Sequence, residues 1–191
     1  MREYQQQLRD RFLGAPVMPA PAPWLALPTP HTSIPVGGLL GVGFAADPAS
    51  GEDILMVVSH EGRGLFDPST GAKIARDRNP DLDLCLPRGT GLACPGFGPL
   101  AGTRIRIAGL FGGGLHTTTE DGCTVDVVAP DWPNERVVLS INGDIYRGTA
   151  GTHWWHIFHS DYSELRAAGF SASGRTLVVA ASSDITIWHR S

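Results

Sequence analysis

Short apolar runs, each closed by a tight-turn pair, recur along this chain at a step of about 41 residues, which constrains the fold more than any other feature. The turns fall near Gly62, Gly102, Gly143 and Asp184. The runs include Ile54–Ser59, Thr103–Ile107, Val125–Ala129, Val137–Ile141 and Thr176–Ala181, all of strand length and β-branched or apolar character. Glu61-Gly62, Asp121-Gly122 and Asn142-Gly143 are residue pairs that favour the backbone of tight hairpins. Composition agrees with this reading. With 24 Gly and 15 Pro in 191 residues a helix bundle is excluded, because both residues weaken helix interiors. A hydrophobic share of 42% against 18% charged excludes a disordered chain. The chain reads as all-β.

The repeats align in detail. Met56–Phe66 superposes on Val178–Trp188 without a gap, each copy being strand, turn and a strand ending on an apolar–aromatic pair. Upstream, Gly43-Phe44 matches Gly169-Phe170. A third copy runs Val137–Ile141, Asn142-Gly143, Asp144-Ile145-Tyr146, and a weaker fourth has its turn at Ala101-Gly102 before Thr103–Ile107. Strands before the hairpins centre near Phe44, Leu84, Val125 and Phe170, and strands after them near Ala72–Ala75, Leu115–Thr118 and Trp154–Phe158. No strand follows Trp188, so Thr32–Val36 is expected to supply that missing outer strand and cover the open edge. The expectation is a small four-bladed β-propeller over residues 36–191, with the N-terminal strand closing the last blade; a β-sandwich is the alternative. Residues 1–35 form the preceding arm. Within it, residues 2–13 suit a short helix with Tyr4, Leu8 and Phe12 on one face, and Pro16, Pro19, Pro21, Pro23, Pro28, Pro30 and Pro35 mark an extended segment.

The last repeat, Gly169-Phe170-Ser171-Ala172-Ser173-Gly174-Arg175-Thr176-Leu177 through Ser183-Asp184-Ile185-Thr186-Ile187-Trp188, resembles the WD-repeat propeller family. The likeness lies in Phe-Ser-x-x-Gly-Arg-x-Leu, a strand of small residues, Ser-x-Asp and a strand closing on Trp. The chain has no Gly-His pair, and His189 follows Trp188 where that family carries Asp. The resemblance implies a rigid propeller used as a binding scaffold.

The most unusual local run is His153-Trp154-Trp155-His156-Ile157-Phe158-His159. Strand alternation puts His153, Trp155, Ile157 and His159 on one face, and Trp154, His156 and Phe158 on the other. His153 and His159 then stand ~20 Å apart, too far to share an ion, so no metal site is expected. Trp132, Trp154 and Trp155, with His153, are the candidates for a protein-binding surface, because exposed Trp anchors dominate interfaces. Asp81 and Asp83, beside Asp77 and near Arg76, Arg78 and Arg88, are candidates for docking a basic partner. Asp121, Asp144 and Asp184 sit at hairpin turns for backbone reasons.

Catalytic motifs are not expected. Gly112-Gly113-Gly114 lacks the GxxxxGK[ST] pattern of a phosphate loop, and Ser59-His60-Glu61 are strand neighbours that point to opposite faces. Cys85, Cys94 and Cys123 are an odd set without CxxC spacing, read as free thiols of a reducing cytosol. The net charge of −4 gives no footprint for nucleic acid, and no apolar stretch reaches membrane-span or signal-peptide form. Lys73 is the only lysine, a usage that points to a GC-rich bacterial genome. The expected function is a non-enzymatic, cofactor-free, cytoplasmic interaction module, monomeric by itself, in particular an immunity protein that neutralises a toxin. The alternative is a ligand- or metal-binding enzyme using the propeller channel or the His153–His159 region.

Overall fold

The computed structural model describes residues 2–27, 33–143 and 145–190. In chain order the strands are β1 (Leu25–Leu27), β2 (Ile34–Pro35), β3 (Leu39–Ala46), β4 (Asp53–Ser59), β5 (Gly62–Phe66), β6 (Lys73–Asp77), β7 (Ala93–Pro95) and β8 (Arg104–Arg106). Then come β9 (Ala108–Gly109), β10 (Cys123–Asp131), β11 (Asn134–Ile141), β12 (Trp154–Ser160), β13 (Leu165–Phe170), β14 (Thr176–Ala181) and β15 (Asp184–His189). Two α-helices, α1 (Arg2–Gly14) and α2 (Leu82–Cys85), and a 3-10 turn at Gly98–Leu100 complete the set. The strands form four antiparallel sheets: a first, β6-β5-β4-β3-β9; a small second, β7-β8; a third, β10-β11-β12; and a last, β13-β14-β15 with β1 and β2 on its outer edge.

The sheets pack face on face, which is why their strands read as continuous apolar runs rather than alternating ones. In β4, Leu55 and Val57 pack with Val178, Ala180, Ile185 and Ile187 of the last sheet, while Ile54, Met56 and Val58 pack with Cys94, Leu100 and Ile105 around the second. In β14, Leu177 and Val179 turn the other way, against Val137 and Leu139 of the third sheet. The third sheet turns Val138 and Trp154 to the helix face carrying Phe12. The layers therefore run second, first, last, third, α1. Each such side chain, once buried, contributes about 1.5–3 kcal/mol to holding the layers together. The all-β expectation holds, and no closed barrel or propeller is detected among the described residues.

Inner edges approach closely through glycine. A Cβ on Gly43 of β3 would lie 2.1 Å from the Arg106 carbonyl, and one on Gly169 of β13 would lie 2.4 Å from the Leu115 Cβ. Elsewhere Arg63, buried in β5, donates to Asp77 at 2.5 Å and to the Pro95 carbonyl at 2.5 Å, tying the first sheet to the second.

The outer strand of the last sheet does come from the N-terminal side. Ile34 pairs with Ile185 and Pro35 with Asp184, while Leu25–Leu27 pair with Ile187–His189. Thr32 lies outside the described residues. Three other expectations need correction. Leu84 falls in a helical turn rather than a strand, because Asp81 caps it by accepting from the Asp83 amide and Cys85 is drawn into the core. Leu115–Thr118 is no outer strand but runs along inner edges, bridging Phe170 through His116 and Thr124 through Thr118. Ile145-Tyr146 do not continue a hairpin after Asn142-Gly143; Ile145 is buried in the helix-side core and β12 takes the place beside β11. Asp144 lies outside the described residues.

Candidate functional site

The His153–His159 run forms β12, and a bulge changes its geometry. Val137 pairs with Phe158 but Val138 with His156, so Ile157 is the extra residue. The bulge overturns strict alternation. Phe158 joins Trp155 and Ile157 on the face toward the last sheet, and His159 comes alongside His156, ring centroids 5.9 Å apart. Trp154 is fully buried: its Nε1 donates to the Gly148 carbonyl at 3.0 Å, and Phe12 meets its ring edge-on. His153 is exposed and accepts from the Thr149 amide through Nδ1. Trp154 is therefore the seat of α1 rather than a surface anchor.

His156 is 1% exposed, and its Nδ1 donates to the Ala15 carbonyl at 2.9 Å. That bond leaves Nε2 as the lone-pair nitrogen, without a side-chain hydrogen-bond partner among the described residues; His159 Nε2 is likewise without one, and Arg136 Nε meets only the Asp131 carboxylate, at 3.6 Å. Burial holds the His156 pKa below its ordinary value, and the nearby Arg136 and His159 add to the effect. Burial pushes Asp131 up, but the Asn134 hydrogen bond and Arg136 outweigh it and leave its carboxyl low. Arg136 also donates to the Phe12 carbonyl, so this polar cluster lies beneath the junction of α1 and the arm. Among the described residues, no three His, Cys, Asp or Glu side chains gather into a metal site.

Beside it, a groove of about 780 Å³ opens between the outer edges of the third and last sheets. Val17–Ala20 and Trp24–Ala26 wall one side, Ile157–Ser163 the other, and Thr186 and Trp188 contribute from β15. The lining is mainly apolar, with Asp161 and Asp184 as its carboxylates and His159 at its wall. Tyr162, on the loop after β12, is 97% exposed, and Trp132, at the β10–β11 turn, is 79% exposed. The register Asp131↔Asn134 and Glu135↔Ser160 puts both loops at one end of the third sheet.

Of the candidate residues, Trp132 alone combines an aromatic side chain with wide exposure; Trp155 is half-buried and packs toward the last sheet. Asp81 caps α2 and Asp83 pairs with Arg88 at 2.6 Å, well away from the groove's lining. Ser59 Oγ donates to the Gly62 carbonyl, shaping the β4–β5 turn. Burial raises the Cys85 thiol and pushes Cys94 up to about 11, which keeps both protonated and unreactive. Tyr162 and the groove were not singled out in the sequence, because an arm and a strand edge that meet only in space leave no local signal. No family model matches the chain, and neither does any curated protein or solved structure.

Proposed function

We propose that the chain is a non-enzymatic protein-interaction module whose binding surface is the groove lined by Tyr162 together with Trp132 at the same end of the third sheet. The observation that carries this reading is a mainly apolar groove with the widely exposed Tyr162 in its lining, and the exposed Trp132 on the neighbouring loop at the same end of the third sheet. Aromatic anchors beside a concave apolar surface are where interface energy concentrates. The 41-residue step and the WD-repeat-like last repeat support a small propeller-like scaffold, in which the sheets act as blades and β1 and β2 complete the last. The acidic balance supports a basic partner, and neutralisation of a toxin in a bacterial cytoplasm is the form of this role we put forward.

The test is co-purification from the source cell with wild-type chain and with Trp132→Ala/Tyr162→Ala. The partner should be lost from the double variant while its melting temperature stays unchanged. Equal capture by both forms would remove this surface from the reading.

A second reading rests on the unpartnered Nε2 atoms of His156 and His159, which make the pair a candidate ligand site for a soft divalent ion. Zinc titration followed by histidine NMR shifts, with no change on addition of the metal, would dismiss it.

A further inference from the structure

The outer edge of β12 has a particular chemistry. β12 ends its sheet, and among the described residues the only backbone bond made to that edge by the arm is from the Met18 amide to the His156 carbonyl, 2.8 Å. Beyond it, toward Ser160, the edge runs along the groove. An unpaired sheet edge bordering an apolar groove is a template for another extended chain. The arm already shows the beginning of such pairing at its one bond.

Charge selects among possible chains. Glu135 lies opposite Ser160 in the register, Asp161 and Glu164 sit on the loop that follows, and Asp184, at the start of β15, lines the groove. Arg166 is paired with Glu164 at 2.9 Å, and among the described residues no ion pair joins Glu135, Asp161 or Asp184 to a cation. Burial, and to a lesser degree the negative charge of Glu164, raise the Glu135 pKa. Trp24, 3% exposed in the groove wall, carries an indole N–H with no acceptor among the described residues.

From the open β12 edge and the surrounding carboxylates we infer that the partner presents an extended segment that adds as a strand to β12, with apolar and Lys or Arg residues together on the side it turns to the groove. Its apolar side chains would enter the groove over Ile157, Phe158 and Trp188. Its cations would meet Glu135, Asp161 and Asp184. This inference rests on the interaction-module reading and narrows it to one partner chemistry.

The experiment uses the full chain and three synthetic peptides: acetylated Val-Thr-Lys-Thr-Val-Thr-Lys amide, whose valines and lysines share one strand face, its Lys-to-Glu counterpart, and the Lys peptide N-methylated at alternate residues. The Lys peptide should bind, shift the amide signals of residues 157–160, and weaken about tenfold when salt rises from 50 to 500 mM, since exposed charge pairs are screened. The Glu and N-methylated peptides should bind at least about tenfold more weakly, because one loses the charge match and the other the strand hydrogen bonds. Glu135→Gln/Asp161→Asn should weaken the Lys peptide without altering the melting curve. Failure of the Lys peptide to bind, or equal binding of either control, overturns strand addition. If Trp132→Ala/Tyr162→Ala still loses the natural partner in that event, the interaction-module reading survives and only the strand-addition inference falls.

Discussion

The ring of Phe12 stands edge-on to the indole of Trp154, centroids 5.6 Å apart and planes at 63°, and this contact seats α1 on the third sheet. Arg11 adds a cation over the same indole at 5.2 Å and donates to the carbonyls of Tyr146 and Gly148. A thirteen-residue helix is marginal in water on its own, so its order depends on this docking. Phe12→Ala should destabilise the protein by roughly 3 kcal/mol. Hydrogen exchange should show amides of residues 2–14 losing protection first. Unchanged protection there would refute Trp154 as the seat of the helix.

Trp188 is 4% exposed and packs among Phe170, Leu177 and Val137. Trp188→Ala leaves a large void between the last and third sheets and should cost about 3–5 kcal/mol. Denaturant unfolding measures this directly, and a loss near zero would mean the wrong face had been placed inward.

Gly43→Ala should cost about 2–3 kcal/mol, since its Cβ would collide with a backbone carbonyl rather than a yielding side chain. Gly51→Ala is the matched control for a different cause: nothing lies near its Cβ, but its φ of +76° disfavours a side chain, so it should cost only about 1 kcal/mol. Equal melting temperatures for the two variants would contradict the close approach of β3 to Arg106.

Acidification should loosen the arm. The folded pKa of His156 is depressed below the unfolded value of 6.5, so the unfolded chain takes up the proton first as pH falls. Stability is therefore complete above 6.5 and declines as pH drops from there toward the folded value. The groups facing this ring are Arg136 from the third sheet, His159 and the Phe158 backbone from its own strand, and only backbone from the arm at Ala15. Protonating Nε2 would add a positive charge beside Arg136 in a buried site where only backbone carbonyls can meet it. The urea midpoint should fall between pH 7.5 and 5.5, with a shallower fall in His156→Gln; an identical slope in both would assign the effect elsewhere.

Deleting residues 1–36 removes α1, β1 and β2 together. The outer edge of β15 and the Trp154 face of the third sheet then meet water, so the truncated chain should aggregate or fail to fold. A soluble, cooperatively melting truncation would show that the arm is dispensable.

Much of the β framework was legible because each run has strand length and ends in residues that turn the chain. Ile54–Ser59 and Thr176–Ala181 match β4 and β14 almost residue for residue. The pairing of Ile34–Pro35 with β15 falls inside the stretch expected to supply its outer strand, whereas Leu25–Leu27 were hidden between Pro23 and Pro28. Trp24 reads as part of a proline-rich arm yet lies at the core, over Phe170 at 5.5 Å, a contact between segments far apart in the chain. The bulge at Ile157 has no signature of its own, and it alone decides that His159 lies beside His156 rather than behind it. The candidate site was thus legible in Trp132, and not in Tyr162 or the groove that Tyr162 lines.

Leu25 pairs with His189, about 160 residues later in the chain. During synthesis β1 leaves the ribosome long before its partner exists. Throughout that interval the arm has no sheet to join, and the last sheet has no outer strand. Closing so distant a pair demands a large loss of chain entropy and slows folding. The growing chain thus spends its time of manufacture with both sticky edges uncovered, and the segment around Trp188 acts as the fastener that ends that exposure.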